Sequence, residues 1–418
     1  MLVADGFPDF SICGLPFYVS DEVHQPSALA HRTGAPLAEH GIEVLLHHSA
    51  TELRPAERTV LVRGSDGHEQ SMRYDTVVIA TGARPRRARI EGEDLAGVHH
   101  LHTVADGIQL RARVDGGRLD RVAIVGAGYI GLEMADAFVR RGLHVTLLSR
   151  SATVLPTLDP SLGELLRVEL ERHGVAVETG VAVRQVSSAQ ERLRVQADAG
   201  SSYGADLVLL AAGVEPNSDL ARSAGVALGL HGAIRVDRRM RTNVPGVLAA
   251  GDCVETWHRL LARPAYLPLG TTAHKQGRIA GETAAGGTRE FQGSLGTQVV
   301  KVFELAAART GLREAEARAA GLYLVTVETE PWDHKVYYPG ARRLHIRITG
   351  DRRSGRLLGA QIVGDWRAEA AKRIDIFATA IHNGLNMDDL NDLDLSYTPP
   401  LGAPWDAIQE AAQAWSIS

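Results

Sequence analysis

The chain has little cysteine: Cys13 and Cys253 are the only two among 418 residues. Two cysteines cannot build a disulfide framework, and so few thiols in a long chain are typical of a reducing cytoplasm. An excess of basic residues is also absent, because the formal net charge is −5. The charge therefore gives no reason to expect nucleic acid or an anionic membrane as a partner.

Long hydrophobic runs are missing as well. Apolar stretches such as 207–214 fall well short of the roughly 20 residues that cross a bilayer. The first residues, 1–5, have no basic region ahead of an apolar core, so they do not resemble a secretory signal. Apolar residues still make up 44% of the chain, which suffices for the cores of two or three domains. We expect a globular, cytoplasmic protein.

The strongest local pattern is an apolar strand, 121–125, that leads directly into three glycines. A predicted helix over 134–141 and a strand over 144–148 complete a βαβ unit. In such a unit Gly126 permits the tight turn, Gly128 lets the backbone approach a pyrophosphate, and Gly131 lets the helix pack on the strand. The pattern predicts dinucleotide binding. The predicted site also includes three residues between strand and helix: Tyr129, Ile130 and Glu133.

The end of the second strand indicates which dinucleotide binds. An acidic residue there would accept hydrogen bonds from the adenine ribose of NAD, but the chain has Ser149 and Arg150. With no carboxylate to repel a 2′-phosphate and a guanidinium able to hold it, NADPH is favoured and NADH stays possible. The alternative interpretation makes Arg150 a solvated surface residue.

The strand-then-glycine form recurs three times. Thr81-Gly82 and Gly213 each follow a predicted buried strand and mark chain crossovers. A third strand, within 241–252, ends at Gly251-Asp252, where the carboxylate can accept hydrogen bonds from a polyol.

Together and in this order, these segments resemble the pyridine nucleotide-disulfide oxidoreductases, which are flavoproteins. The resemblance implies an α/β fold with two interleaved Rossmann-like domains, for FAD and NAD(P), and a C-terminal α+β dimerisation domain. It implies that Asp252 holds the FAD ribitol and that Thr81 and Gly82 mark the crossover between domains. Thr271 and Thr272 match a helix that lies along the isoalloxazine. The predicted bounds are 1–113 and 229–292 for the two FAD-binding parts, 114–228 for the NAD(P) domain and 293–418 for dimerisation.

Cys13 is followed by glycine and proline at the opening of a predicted helix. Free backbone N–H groups and the helix dipole would favour a thiolate there, although a free cysteine is more often an inert buried residue. The segment resembles the single-cysteine branch of the family: CoA-disulfide reductases, NADH oxidases and peroxidases, and persulfide reductases. Other branches carry a second cysteine where this chain has Tyr18. The resemblance implies one redox thiol, and Cys253 is expected to pack inertly.

Two tyrosine segments narrow the resemblance. Tyr337 and Tyr397 match residues that CoA-disulfide reductases bring into the partner subunit's active site, with Tyr338 adjoining the first. The resemblance thus implies a homodimer. The alternative is that both tyrosines only pack at an interface. CoA is one candidate thiol among several, because Ile12 stands where these reductases commonly have asparagine.

One element of the family pattern is absent before Cys13. Family members begin with a strand, a Gly-x-Gly-x-x-Gly turn and a helix that hold the FAD pyrophosphate. Here residues 2–5 instead resemble the second strand of that unit, with Asp5 near the adenosine ribose. Either the true start lies upstream or the chain is a truncation with poor flavin affinity, and a misassigned start is the favoured interpretation.

The sequence thus predicts an FAD-dependent NAD(P)H oxidoreductase that reduces a disulfide or persulfide through Cys13, with Tyr397 and Tyr337 as acids. Tyr129 matches a residue that swings aside as a gate for the nicotinamide. One alternative is an NAD(P)H oxidase or peroxidase that cycles Cys13 through sulfenic acid. A flavin-free nucleotide-binding scaffold is another. No metal site is predicted, since the histidine pairs at 47–48 and 99–102 lack companions at ligand spacing. The acidic stretch 387–394 is expected to be a solvated loop.

Overall fold

The computed structural model describes residues 1–4, 6, 9–32, 34–189 and 192–418, so Asp5 lies outside the described residues. Most elements are short strands. In chain order the strands are β1 (Leu2–Ala4), β2 (Asp9–Phe10), β3 (Ala30–Arg32), β4 (Val44–Leu46), β5 (His48–Arg54), β6 (Thr59–Gly64), β7 (Glu69–Arg73), β8 (Val77–Ile79), β9 (Ala83–Pro85), β10 (Val98–His99), β11 (Arg121–Val125), β12 (His144–Ser149), β13 (Ala176–Thr179), β14 (Val183–Ala189), β15 (Arg192–Ala197), β16 (Ser202–Ala205), β17 (Leu207–Leu210), β18 (Val214–Pro216), β19 (Val247–Ala249), β20 (Thr256–His258), β21 (Arg263–Ala265), β22 (Gln298–Val302), β23 (Leu305–Gly311), β24 (Leu324–Thr329), β25 (Leu344–Asp351) and β26 (Leu357–Asp365). The α-helices are α1 (Leu15–Val19), α2 (Gly34–Glu39), α3 (Val104–Asp115), α4 (Tyr129–Arg140), α5 (Pro160–Arg172), α6 (Asp219–Ser223), α7 (Gly270–Ala284), α8 (Glu314–Ala319), α9 (Ala370–Asn383), α10 (Met387–Asn391) and α11 (Ala407–Ser416).

A five-stranded parallel sheet with the order β10-β17-β11-β12-β13 contains the predicted βαβ unit. Strand β17 is buried along its whole length and β11 along all but its first residue, as expected for parallel strands covered on both faces. The helix of the unit, α4, begins at Tyr129 rather than at 134, so it starts directly after the glycine turn. A three-stranded antiparallel sheet, β14-β15-β16, follows in the chain.

The remaining nucleotide-fold strands form two separate parallel pairs, β1 with β4 and β8 with β19. Strands β5, β6 and β7 form an antiparallel sheet beside them. The chain enters and leaves the parallel five-stranded region through a short antiparallel ribbon, β9 with β18. At that ribbon the Arg86 N–H donates to the carbonyl of Gly213 over 2.9 Å. The pair of β8 with β19 thus joins strands from both sides of the five-stranded region in the sequence.

The C-terminal part is an antiparallel sheet with the order β22-β23-β26-β25-β24, covered by α9 and α11. Every residue of β26 is buried, and Phe377 of α9 packs fully buried in the same core. The predicted α/β fold with a C-terminal α+β domain is confirmed. The domain bounds stay predictions, and β10, from the predicted first FAD-binding part, joins the five-stranded sheet.

The acidic stretch 387–394 is not a solvated loop throughout, and that prediction is wrong. Residues Met387–Asn391 form helix α10, which begins with a capping box between Asn386 and Asp389. Met387 and Leu390 are buried in the C-terminal core, because the i, i+3 spacing places both on one helix face. Among the described helices, none is both long and apolar enough to cross a membrane.

Candidate active site

The glycine turn after β11 has the geometry that its spacing predicts. A Cβ on Gly126, whose φ is +119°, would lie 2.3 Å from the carbonyl oxygen of Ala211. A Cβ on Gly131 would lie 1.9 Å from the carbonyl oxygen of Gly126. A Cβ on Gly128 would meet no protein atom within 4 Å. Gly126 therefore lets the turn approach the end of β17, Gly131 lets the helix pack on the turn, and Gly128 leaves open the space in front of the turn.

That open space lies at the N-terminus of α4. Gly128 is the N-cap residue, and no side chain caps the helix. The first-turn N–H groups of a helix have no intrahelical acceptor, so they favour an anion such as a pyrophosphate. Ile130 is partly buried and packs against the main apolar core, which fixes the first turn in place.

Arg150 follows the buried Ser149 at the end of β12. Its side chain is exposed, and no hydrogen bond or ion pair within the described ranges engages the guanidinium. A free guanidinium at this end of the strand has the chemistry to hold a ribose phosphate.

Cys13 lies in a 3₁₀ turn, Ile12–Gly14, that precedes the five-residue helix α1. The cysteine is exposed, whereas Leu15 and Val19 of the helix are buried. Partial enclosure by protein raises the pKa of the Cys13 thiol, and the charges of Glu133 and Asp252 raise it further. The backbone N–H at this turn lowers the pKa of the thiol, in the direction that the sequence predicts, but burial first and then the two carboxylates outweigh it.

The same two carboxyl groups have no hydrogen-bond or ion-pair partner in the described part of the chain. Burial raises the pKa of Glu133 to about 7, with a smaller contribution from the charge of Asp136. Burial also raises the pKa of Asp252, and His102 opposes that shift. Both acids thus act electrostatically on Cys13, and Glu133 lies in α4, directly after the glycine turn.

The glycine that precedes Asp252 is held by α7. The Gly251 N–H donates to Gln276 Oε1 over 3.1 Å, and Gln276 Nε2 donates to Thr256 Oγ1 over 3.2 Å. Thr271 is exposed at the start of α7. Thr272 instead is buried, and its hydroxyl donates to Ser294. Of the two residues predicted to bind the cofactor, Thr271 therefore has the more accessible side chain.

The crossover residues lie together, as their common form predicts. Thr81 Oγ1 donates to the carbonyl of Asn217 over 2.5 Å, and the Asn217 N–H donates to the carbonyl of Gly82 over 2.9 Å. His102 Nε2 lies 2.7 Å from the carbonyl oxygen of Ala83. The Ala250 N–H donates to the carbonyl of Ile79 over 3.0 Å, so the crossover that follows β8 lies near Gly251 and Asp252.

Tyr337 and Tyr397 meet each other on the C-terminal part. A hydrogen bond between their hydroxyl groups raises the pKa of Tyr397. Their side chains are 71% and 44% exposed, so both hydroxyls can reach a molecule outside this chain. Tyr338 turns elsewhere, with its ring 5.9 Å from that of His334. Tyr337, rather than Tyr338, is therefore the residue that contacts Tyr397.

Comparison with protein families decides the relationship. Residues 13–277 match the family described as pyridine nucleotide-disulphide oxidoreductase, and residues 297–408 match its dimerisation domain. The chain belongs to the pyridine nucleotide-disulphide oxidoreductase family. The resemblance stated from the sequence is thereby confirmed, and so is membership of an oxidoreductase family.

Individual relatives of this oxidoreductase are similar over nearly their whole length. An NAD(P)H sulfur oxidoreductase (CoA-dependent) of Pyrococcus furiosus is 35% identical over 95% of this chain and 88% of its own length. An NADH oxidase of Methanocaldococcus jannaschii is 32% identical over 97% of this chain and 90% of its own. The solved structure of an NAD-dependent persulfide reductase from A. fulgidus has a TM-score of 0.95 at 36% identity, covering 99% of this chain and 78% of that one.

The family uses a flavin and a pyridine nucleotide, and the residues of this oxidoreductase fit parts of both. The open space before Gly128 and the uncapped α4 fit a nucleotide pyrophosphate. The unpaired Asp252, close to Cys13, fits the polyol chain of a flavin as a hydrogen-bond acceptor. Among the described residues ahead of Cys13, no strand, glycine turn and helix unit supplies a second pyrophosphate site. The residues present therefore fit a flavin at its polyol.

Several residues of the site were missed by sequence reasoning. Asn217 carried a signal, because it directly follows a segment already interpreted as a crossover. The hydrogen bonds of Gln276 to Gly251 and of His102 to Ala83 carried none, since the partners are distant in the chain. Cys253 is buried, with its thiol 3.3 Å from the carbonyl oxygen of Ala250, as expected for an inert residue. No metal-binding group of three or more histidine, cysteine or acidic side chains occurs among the residues that the structure describes.

Proposed function

We propose that the protein is an FAD-dependent NADPH oxidoreductase that reduces a disulfide or a persulfide through Cys13. The observation that carries the proposal is the convergence of Cys13, Glu133 and Asp252 beside the nucleotide turn. This arrangement places a redox-capable thiol beside the site proposed for the hydride donor. The relatives named for sulfur and persulfide reduction support this substrate class.

The nucleotide is held by the turn and the helix that follows it. Gly126, Gly128 and Gly131 bring backbone N–H groups to the pyrophosphate, and Arg150 pairs with the 2′-phosphate. The nicotinamide then lies beside Tyr129 and Glu133. A flavin, when bound, would have its polyol held by Asp252 and would supply two-electron transfer between the nicotinamide and the sulfur of Cys13.

The sulfur chemistry belongs to Cys13. Its thiolate attacks one sulfur of a disulfide RSSR, forms a mixed disulfide with RS and displaces RS⁻. Tyr397, with Tyr337 hydrogen-bonded to it, donates a proton to the leaving RS⁻ across the dimer interface. Two electrons from NADPH and one proton then release the second RSH and restore the Cys13 thiolate. The sum is NADPH + H⁺ + RSSR → NADP⁺ + 2 RSH, and a persulfide RSSH gives RSH and H₂S in the same way.

A homodimer follows from the same arrangement. The chain carries the family's dimerisation domain, and the exposed Tyr337 and Tyr397 lie on it beside further exposed apolar residues, Val336 and Leu401. A contiguous exposed patch of this kind is typical of a protein interface. Both cysteines are free thiols, which suits a reducing cytoplasm.

The test is Cys13→Ser in the purified protein. Turnover with a disulfide or persulfide is expected to be lost, while NADPH still bleaches the flavin absorbance near 450 nm. Turnover that survives the substitution would assign the chemistry to another group. Protein without that absorbance would support the flavin-free scaffold instead.

An NAD(P)H oxidase or peroxidase is the second candidate, and the NADH oxidase relative favours it. In that reaction Cys13 would cycle through sulfenic acid. Measuring NADPH consumption separately with oxygen, peroxide, CoA disulfide and a persulfide distinguishes the two activities, because only the sulfur substrates yield thiol or sulfide.

A further inference from the structure

Residues 334–341 form most of the connection between β24 and β25 and carry Tyr337. We call them the first tyrosine loop. At its base the Asp333 N–H donates to the carbonyl of Arg342 over 2.9 Å, and the Arg342 N–H donates to Asp333 Oδ1 over 2.8 Å. Asp333 is buried, whereas Tyr337 is exposed. The base of the loop is therefore fixed inside the protein, although its tip extends into solvent.

Residues 394–405 lead from α10 to α11 and carry Tyr397, so we call them the second tyrosine loop. Helix α11 fixes both ends of this loop. Gln409 Nε2 donates to the carbonyl of Leu393, just before the loop, over 2.9 Å. Asp406, just after the loop, is the N-cap residue of α11. The exposed tip of the second loop is thus carried between two anchored ends.

Arg373 of α9 joins the anchors of the two loops. Its side chain is buried, with 5% of the residue's surface exposed. Nη2 donates to the carbonyl of Asp333 over 2.8 Å and to Asp406 Oδ2 over 2.8 Å, and Nη1 donates to the carbonyl of Ala368 over 2.7 Å. The planar guanidinium presents its donors in a fixed fork, so it orients both acceptors at once. One buried side chain therefore relates the base of the first loop to the end of the second.

The tips of the loops meet where the two tyrosines lie. The hydroxyl groups of Tyr337 and Tyr397 are hydrogen-bonded, and the Lys335 N–H donates to the carbonyl of Pro399 over 3.3 Å. Both tyrosine side chains are exposed, so the apolar core does not hold their rings in place. Their relative position therefore depends on the segments that carry them and on the contacts at the ends of those segments.

We propose that Arg373 is a positioning residue for the proton donor of the sulfur reaction, because it holds the two tyrosine loops in the register in which Tyr337 and Tyr397 meet. The inference rests on the proposed function, since it takes Tyr397 as the acid that protonates the leaving thiolate. A buried ion pair adds little net stability compared with apolar packing, so register explains the pair of Arg373 with Asp406 better than stability does. A reacting group that is misplaced by about 1 Å loses much of its effect on the rate.

Two small neutral disulfides separate proton donation from general effects. Hydroxyethyl disulfide releases a basic alkyl thiolate that needs a proton, whereas dithiodipyridine releases a weakly basic aromatic thiolate that does not. Arg373→Lys keeps a positive charge beside Asp406 but loses the planar fork. In this variant the attack of Cys13 on hydroxyethyl disulfide should slow about tenfold, which is part of the roughly 10²- to 10⁴-fold that a general acid contributes. The attack on dithiodipyridine should change by less than about twofold. Mass spectrometry of the Cys13 adduct measures both rates in the purified protein without NADPH.

Variants of Asp333 test the same link from the other side. Asp333→Ala removes the oxygen that accepts from the Arg342 N–H and frees the base of the first loop, so it should show the same selective slowing. Asp333→Asn keeps an acceptor oxygen at this position and should react at wild-type rates with both disulfides. Phe377→Leu is the control for stability, because Phe377 lies in α9 with Arg373 and is fully buried in the apolar core. It should lower the melting temperature and leave both rates unchanged.

A double-mutant cycle tests whether Arg373 acts through the tyrosines. Tyr397→Phe removes the acid and should slow the reaction with hydroxyethyl disulfide about 100-fold. Arg373→Lys should slow this variant no further, because the group that Arg373 positions is already gone.

The positioning role would be overturned by a wild-type rate of Arg373→Lys with hydroxyethyl disulfide, by equal slowing with both disulfides or by additive effects in the cycle. Selective slowing in Phe377→Leu would also overturn it. An unchanged rate in Tyr397→Phe would instead refute the acid role of Tyr397 in the proposed function, which is a different result.

Discussion

Gly128 and Gly131 stand three residues apart in the same turn, yet the structure predicts opposite consequences for their replacement by alanine. A Cβ on Gly131 would lie 1.9 Å from the carbonyl oxygen of Gly126, and real Cβ contacts are longer than 3.0 Å. The turn must therefore shift by more than 1 Å, an overpacking cost of about 3 kcal/mol. The better helix propensity of alanine returns about 1 kcal/mol. Gly131→Ala should lower the melting temperature by roughly 4–8 °C.

Gly128→Ala should leave folding almost untouched. Its backbone, with φ at −89° and ψ at −169°, suits any residue, and the new methyl group meets no protein atom within 4 Å. That methyl group would stand where the pyrophosphate approaches the helix. Loss of one or two charge-assisted hydrogen bonds should raise the Kd for NADPH by roughly 10- to 100-fold.

Differential scanning fluorimetry and calorimetric titration with NADPH measure the two effects on the same samples. Gly204→Ala is the control, because Gly204 is exposed in β16 and its Cβ also meets nothing within 4 Å. It should change neither quantity. If Gly128→Ala binds NADPH within about twofold of wild type, the nucleotide does not lie against this turn, and the assignment of the site fails.

Two further predictions concern charge. Glu133→Gln should lower the pKa of the Cys13 thiol, because the carboxylate raises it. Since the pKa of Glu133 is about 7, the two proteins should react with iodoacetamide alike well below pH 7 and diverge above it, and coincident profiles throughout would contradict the coupling. Arg150→Ala should raise the KM for NADPH about tenfold and leave that for NADH unchanged in steady-state assays. A strong preference of the wild-type protein for NADH would refute the 2′-phosphate role.

The parts that could be predicted from the sequence are local in the chain. Gly126, Gly128 and Gly131 lie within one strand, turn and helix, so their spacing alone specifies the turn that the structure contains. Thr81 and Gly213 were recognisable as crossovers for the same reason. Their cofactor contacts stay predictions.

The parts that could not be predicted depend on long-range packing. The thiol of Cys13 was expected to be acidic from its neighbours in sequence, but burial and the charges of Glu133 and Asp252 raise its pKa, and only the fold produces both effects. Arg373 has no local signal at all, because its partners Asp333 and Asp406 lie in separate segments of the chain. Such electrostatic effects and hydrogen bonds depend on residues that are distant in the sequence. They therefore leave no periodic pattern in the chain.

The ribbon formed by β9 and β18 has a consequence for the architecture of the chain. Pro85 pairs with Val214, and Arg86 is hydrogen-bonded to Gly213, so the intervening segment departs and returns at one point. In topological terms that segment is an insertion, and the two-stranded ribbon holds its ends together. The ribbon fixes where the inserted segment joins the rest of the chain but does not make the two parts separable, because Leu15 of α1 lies in the same apolar core as Leu110 of α3 and Leu132 of α4.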